Sequence, residues 1–346
     1  MKAAFLVSPR VIEIRETPDP KITKKNQVKV RVKSIGICGS DAHFYMDGRL
    51  AGWMVEEPLI LGHESSGDVV EVGKEVKNIK EGDRVAIEPG IPCRKCEWCK
   101  RGEYNLCPDV IFYAVPGVHG AFAEYVVSEE DFLFKLPNNL SYEEGALMEP
   151  LSVAVEAMKL GNLQLGDSVA ILGAGTIGIL CIQAALAGGA TEIYVSDINP
   201  MKLDFVKRYS KNRITTIDAG KTDTLQEIMK LTRNRGVDKT FETAGTFETF
   251  RISPLVTRRG GRVTLVGIPP FKEYPFRGSD LFDRTVTMNA VYRYTNDYPI
   301  SIRLVAHGLV NVKSIVTHRF SLNEVQKGLE ITATHGDNVI KAVVNM

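Results

Sequence analysis

The segment Gly173-Ala174-Gly175-Thr176-Ile177-Gly178 follows the apolar run Val169-Ala170-Ile171-Leu172 and opens a second apolar stretch that runs to about Gly188. A G-x-G-x-x-G pattern set between a strand and a helix commits its surroundings to a βαβ unit that binds a dinucleotide. Gly173 makes the tight turn, Gly175 lets the backbone approach a pyrophosphate, and Gly178 lets the helix pack closely on the strand. The free N–H groups and positive dipole end of that helix suit the phosphates. The next strand, Glu192-Ile193-Tyr194-Val195-Ser196, ends at Asp197. A carboxylate about 20 residues beyond the glycines accepts hydrogen bonds from a ribose and repels an added 2′-phosphate, so NAD is the expected cofactor. Lys202 stands a short way down the following helix, either touching the ribose or simply solvated.

Strand and helix alternate from Ser168 onward, with further strands expected at Lys239–Glu242 and Arg262–Val266. This alternation predicts a doubly wound parallel sheet of the Rossmann type. The first 150 or so residues differ. Val28-Lys29-Val30-Arg31-Val32 alternates apolar and polar residues, and Gly67–Gly73 and Gly82–Ile87 are strand-like runs bounded by glycine or charged residues. Ser141-Tyr142-Glu143-Glu144 has the form of a capping box, and Leu151–Leu160 reads as a helix. The last apolar run, Ile340-Lys341-Ala342-Val343-Val344, reads as a strand returning to the first domain. With 346 residues, an α/β chain of two domains is expected. Residues 1–152 and 290–346 form the β-rich domain and 153–289 the dinucleotide-binding one.

Cys93-x-x-Cys96-x-x-Cys99, with Cys107 eight positions on, places four thiols in one loop near residues 90–110. Four thiolates at such spacing wrap a tetrahedral zinc ion, and a site closed in this way is structural. An iron–sulfur cluster is the other reading of four clustered thiols, but nothing else in the chain suggests a redox partner for it. A second set is scattered: Cys38, the His63-Glu64 pair and Glu149. One thiol, one imidazole and carboxylates can hold a zinc ion with an exchangeable position.

Lys and Arg total 43 against 42 Asp and Glu, a net charge of +1, with no basic stripe for nucleic acid. No apolar run approaches the ~20 residues that cross a bilayer. The first residues, Met1-Lys2-Ala3-Ala4-Phe5, do not read as a signal peptide, so the cytoplasm is the default expectation.

Taken in order, Gly36-Ile37-Cys38-Gly39-Ser40-Asp41, Gly62-His63-Glu64, the four-cysteine lobe and the glycine motif resemble the medium-chain, zinc-containing alcohol dehydrogenase superfamily. Gly82–Gly90, Glu144–Val153, Tyr292-Arg293-Tyr294 and Val316–Phe320 are similar to the sorbitol (L-iditol) and xylitol dehydrogenases within it. The resemblance implies a GroES-like catalytic domain, a Rossmann domain inserted before the C-terminal return, and a homodimer or homotetramer. It implies two zinc ions per subunit. Cys38, His63 and Glu64 match the catalytic zinc positions, and Glu149 a carboxylate that either ligates the zinc or holds its water. Ser40 and His43 match a relay for the alcohol proton. Phe44, Phe112, Glu149, Arg293 and Tyr294 match positions around the polyol, while Ile177, Val266 and Gly267 join the glycines and Asp197 around NAD. Two positions depart from the pattern. Phe44 stands where a tyrosine is common, and Glu156 where a histidine is usual.

The expected reaction is hydride transfer from a secondary alcohol of a polyol to NAD, giving a ketose. L-Threonine 3-dehydrogenase shares the zinc positions and the Thr317–Phe320 segment, but Met148–Val153 and Tyr292–Tyr294 favour the polyol branch. A sugar-alcohol-phosphate dehydrogenase would call for a basic cluster that the sequence does not display. A non-catalytic NAD-binding structural protein would have no need of Cys38, His63, Glu64 and Ser40.

Overall fold

A computed structural model describes residues 1–269, 273–274 and 277–346. The chain folds into two compact units. One comprises Pro150–Asp297 and His307–Asn311; the other comprises Met1–Glu149, Tyr298–Ala306 and Val312–Met346. No helix among the described residues is long and apolar enough to cross a membrane.

The Pro150–Asp297 unit is built on six strands: β1 (Ser168–Leu172), β2 (Glu192–Asp197), β3 (Ile214–Asp218), β4 (Val237–Glu242), β5 (Thr257–Leu265) and β6 (Thr287–Ala290). They pair in parallel in the order β3-β2-β1-β4-β5-β6. All five residues of β1 and all six of β4 are buried, as central strands covered on both faces must be. Strand order reverses between β1 and β4, and the crevice at such a switch point is where doubly wound sheets bind their ligands. The glycine motif sits at that end of β1 and leads into the helix Thr176–Ala187. β5 is longer than the expected Arg262–Val266, because Gly260 and Gly261 let its first half pair out of register with β4. The sheet ends at Ala290, so Arg293 and Tyr294 lie beyond it in irregular chain.

The other unit is β-rich and mostly antiparallel. Its central strand, Gln27–Gly36, buries Val28, Val30 and Val32 on one face, the alternation visible in the sequence. Glu64–Val72 lies antiparallel to it on one side and the C-terminal strand Lys341–Asn345 on the other. Arg84–Ile87 and Leu133–Lys135 continue the sheet beyond Glu64–Val72, and Val316–Ser321 pairs in parallel with the C-terminal strand. Phe5, Leu6, Val30, Ile35, Leu61, Phe122 and Val344 belong to the shared core. The capping box forms as expected: the Ser141 backbone N–H donates to Glu144 at 2.8 Å, starting the helix Tyr142–Ala146. The helix Met148–Leu160 follows at once, three residues earlier than the apolar pattern suggested.

Candidate active site

Three chain segments meet at one end of the β-rich sheet. Gln27–Gly36 ends beside Cys38, Glu64 is the first residue of its strand, and Lys341 is the first of the C-terminal strand. Register fixes the meeting: Gly36 pairs with Glu64 on one side and with Val343 on the other. Cys38 then caps the helix Gly39–Asp47. The ligand atoms of Cys38, His63 and Glu64 all lie within 4.8 Å of one another. A thiol, an imidazole and a carboxylate at that separation form a donor set suited to zinc.

Asp41 organises this cluster. Its carboxylate is 1 % exposed and accepts hydrogen bonds from the backbone N–H of Cys38 and of Gly62, both at 3.0 Å. The same group lies 3.4 Å from Nδ1 of His63. With Nδ1 turned to Asp41, Nε2 is the nitrogen left to bind a metal. Burial alone would lower the His63 pKa, but the charges of Asp41 and Cys38 overcome it and hold it well above its usual value. Burial would likewise raise the Asp41 pKa, and His63 with the two N–H donors brings it below the ordinary value instead. Lys341 stands behind Glu64 with its Nζ 2.6 Å from both carboxylate oxygens. Burial works against the Lys341 ammonium, yet Glu64 and Cys38 more than restore it. Neither the tie from Asp41 to His63 nor that from Lys341 to Glu64 is visible in the sequence. Asp41 appears there only as part of a motif, and Lys341 sits 277 residues from its partner.

Around the cluster, Phe112 brings its ring to 5.7 Å from that of His63. Glu149, in the first turn of its helix, is buried, and its charge acts on Lys341. Ser40 is half-buried and His43 exposed, three residues apart on the helix that Cys38 caps. Phe44 is 2 % exposed and belongs to the hydrophobic core, so its part in the site is packing beneath that helix. Arg293 adopts a left-handed backbone at φ 59°, with its guanidinium 4.8 Å from the centre of the Tyr292 ring, and Tyr294 is buried.

Four other cysteines cluster in the same unit. Ligand atoms of Cys93, Cys96, Cys99 and Cys107 lie within 4.8 Å of one another. Backbone N–H groups point at the sulfurs: that of Cys96 at Cys93, that of Cys99 at Cys96 and that of Cys93 at Cys107, at 3.3–3.5 Å. Such donors stabilise thiolates. Those of Lys95 and Cys96 bring the Cys93 thiol down to about 7, while burial and its neighbours Cys96 and Cys107 push Cys99 up to about 12. A divalent metal resolves this crowding by displacing the thiol protons, and the donor set fits zinc.

The dinucleotide residues gather in the other unit. A Cβ on Gly178 would come within 2.0 Å of the Gly173 carbonyl oxygen, so this glycine is demanded by the close approach of helix and turn. Gly173 has φ 110°, which only glycine adopts freely. A Cβ on Gly175, by contrast, would meet no protein atom within 4 Å. The fold does not require that glycine, and the open space before it fits a pyrophosphate. Asp197 turns to this loop: its carboxylate accepts the Ala174 N–H at 2.7 Å and the Asn199 N–H at 2.8 Å. Ile177 and Lys202 are half-buried on the two helices that follow β1 and β2. Val266 and Gly267 leave β5 with both N–H groups donating to the Glu242 carbonyl, where a Cβ on Gly267 would strike Gly245.

Comparison with known proteins agrees with both halves. Residues 24–138 match the alcohol dehydrogenase GroES-like domain family and residues 176–307 the zinc-binding dehydrogenase family. A sorbitol dehydrogenase of Bacillus subtilis is 41 % identical over 344 residues, covering 99 % of this chain and 97 % of that one. A D-xylulose reductase of Saccharomyces cerevisiae is 37 % identical over 346 residues, 99 % and 97 % of the two chains. Among solved structures, an Escherichia coli oxidoreductase of unknown specificity, described as involved in membrane biogenesis, superposes with a TM-score of 0.94. It is 37 % identical and covers 99 % of this chain and 98 % of its own. With a GroES-like domain, a Rossmann domain and relatives of this closeness over its whole length, the chain belongs to the zinc-containing medium-chain alcohol dehydrogenases, close to the sorbitol dehydrogenases.

Proposed function

We propose that the protein oxidises a secondary alcohol of a polyol of the sorbitol or xylitol type, passing the hydride to NAD and giving a ketose. The observation that carries the reading is the convergence of Cys38, His63 and Glu64 in a chain whose full-length relatives include a sorbitol dehydrogenase and a D-xylulose reductase. Cys38, His63 and Glu64 would hold a catalytic zinc, with Glu149 beside them, and Cys93, Cys96, Cys99 and Cys107 a structural one. When bound at the first site, zinc supplies a Lewis acid that makes a hydroxyl easier to deprotonate. The chain's own residues do the rest. Ser40 accepts the hydroxyl proton and His43, exposed on the same helix, passes it to solvent. The C–H electron pair leaves as hydride to the nicotinamide, the carbon becomes a carbonyl, and one proton is released per NADH formed. Phe112 screens the centre from water, and Glu149, Arg293 and Tyr294 engage neighbouring hydroxyls. Contacts of that kind reject an analogue that leaves buried polar groups unpaired.

NAD is favoured over NADP by Asp197, whose carboxylate closes β2 beside the glycine loop. In this reading, residues 153–289 bind the dinucleotide and residues 1–152 with 290–346 carry the chemistry. The protein works in the cytoplasm as a homodimer or homotetramer. The test is a panel of sorbitol, xylitol, galactitol, their phosphates and L-threonine with NAD or NADP, followed by NADH or NADPH absorbance, with and without a chelator. Chelator-sensitive reduction of NAD by an unphosphorylated polyol is the expected result. Preference for L-threonine or for a phosphate ester would overturn the substrate class, and sedimentation of the active protein gives its assembly.

A further inference from the structure

Glu242, the last residue of β4, is a buried carboxylate that the proposed reaction leaves without a task. It is 2 % exposed, and a polar group so enclosed persists only where hydrogen bonds satisfy it. Three donors converge on its Oε1: the backbone N–H of Ala244 at 2.9 Å, that of Gly245 at 2.8 Å and the Thr249 hydroxyl at 2.8 Å. Two of them belong to the loop that leaves β4, and the third to the first turn of the helix Phe247–Val256. Burial pushes the carboxyl above its ordinary value, and these three bonds work against that rise. The backbone of the same residue serves a second loop. The Glu242 carbonyl accepts the N–H of Val266 at 2.7 Å and that of Gly267 at 2.9 Å, where the chain leaves β5. The two loops touch. A Cβ on Gly267 would fall 2.3 Å from the Gly245 nitrogen and 2.9 Å from Oε2 of Glu242. One on Gly245, which has φ 66°, would fall 2.5 Å from the Ile268 carbonyl oxygen. One residue thus fixes two neighbouring exits from the sheet, the first by its side chain and the second by its carbonyl.

We propose that Glu242 is a positioning residue that holds the loops after β4 and β5 in place to receive the nicotinamide half of the dinucleotide. The placement follows from topology. A doubly wound sheet takes one mononucleotide on each side of its switch point, which here lies between β1 and β4. Asp197 ends β2, so the adenosine half belongs to β1, β2 and β3, and the nicotinamide half to the loops after β4 and β5. Thr243 joins the two sides, its hydroxyl donating to the carbonyls of Leu172 and Gly173 at 3.0 Å each. A ring that must meet a C–H bond at a set distance needs a rigid seat. Without an acceptor at Oε1, the N–H groups of Ala244 and Gly245 must find other partners, and the loop shifts away from Gly267. An uncharged oxygen at the same place serves the same three donors, so the acceptor matters here and the charge does not. This role presupposes NAD as the cofactor, and the experiment separates the two.

The test is calorimetric titration of the purified full-length protein with NAD and with AMP, which carries the adenosine half alone. Glu242→Leu keeps the bulk and removes the acceptor. It should raise the NAD dissociation constant about tenfold, the scale of a buried donor left unsatisfied, and leave that of AMP unchanged. Glu242→Gln retains an acceptor oxygen and should restore NAD affinity. Thr249→Val removes one of the three donors without touching the strand, and should weaken NAD about threefold with AMP again unchanged. It decides the question where Glu242→Leu folds poorly. A parallel loss of AMP affinity in a folded variant would overturn the positioning role. So would unchanged NAD affinity in Thr249→Val, or a Glu242→Gln variant no better than Glu242→Leu. A native protein that binds neither NAD nor AMP would overturn the cofactor reading itself, and the role of Glu242 with it.

Discussion

At the scale of single residues, the Cys38–His63–Glu64 cluster depends on a carboxylate outside it. Asp41 satisfies the N–H groups of Cys38 and Gly62 and faces Nδ1 of His63, so it sets both the loop geometry and the ring orientation. In Asp41→Asn the amide retains one acceptor oxygen for three donors, and its NH2 group opposes the Nδ1–H. Partners of metal-bound histidines are worth about 10–100-fold in affinity or activity. We expect kcat/KM to fall by that factor and the catalytic zinc to be lost at a correspondingly lower chelator concentration, with NAD binding unchanged. Unaltered zinc retention would remove Asp41 from this role. The resemblance carried by the segments around Cys38 and His63-Glu64 made this cluster legible in the sequence, where the spacing of a scattered set could not. That resemblance did not reveal what orients these side chains. A hydrogen bond between Asp41 and His63, or an ion pair between Glu64 and Lys341, depends on which strands become neighbours, and no local period records that.

At the scale of elements, the stretch after β6 shows how a departure from the family pattern is absorbed. Glu156 replaces an expected histidine, yet it does not open to a substrate. It is buried on the helix Met148–Leu160 with its carboxylate 2.9 Å from Lys159. Lys159 also meets Asp297 at 3.0 Å and donates to the Thr295 carbonyl at 3.1 Å. Two helix residues thus tie down the irregular chain that holds Arg293 and Asn296 in left-handed conformations. Asp297 is wholly buried. Burial and the hydrogen bond with Glu156 push its carboxyl up to about 7 from an ordinary 3.8, against the pull of Lys159. Between those two values the folded protein holds a proton that the unfolded chain has released. Stability from this group is therefore greatest at low pH and falls as pH rises toward 7. Asp297→Asn cannot release that proton. Thermal midpoints measured from pH 5 to pH 8 should fall less in the variant than in the native protein; parallel curves would remove Asp297 as the source. The alternation of strands and helices made this unit readable in advance, and β1, β2 and β4 lie where apolar runs placed them. The chain after Ala290 is held by side-chain ties from the helix Met148–Leu160, which pattern alone cannot anticipate.

At the scale of the whole molecule, each unit has its own core, and only one contains the four-cysteine lobe. That lobe is too small to bury a core of its own: its helix Glu97–Lys100 has no buried residue. Its order comes from the sulfur cluster and from Arg94, which reaches Glu129 at 2.5 Å and Asp131 at 3.0 Å. A lobe of this kind loses its fold with its metal, since binding free energy and folding free energy are there the same quantity. Cys107→Ser removes the one buried ligand of the four. The thermal transition should fall by more than about 5 °C, the scale of ~2 kcal/mol in a domain of this size. The dinucleotide unit contributes no ligand to the lobe, so its response to cofactor should survive. NAD at about 100 times its dissociation constant stabilises the form that binds it by ~2.7 kcal/mol. A calorimetric scan of Cys107→Ser should therefore show an upward shift on adding NAD equal to that of the native protein, in a transition distinct from the lowered one. Asp197→Ala gives the converse, a native lobe transition with the NAD shift reduced. If Cys107→Ser abolishes the NAD shift, the two units do not fold independently, and the metal lobe supports the dinucleotide site as well as its own.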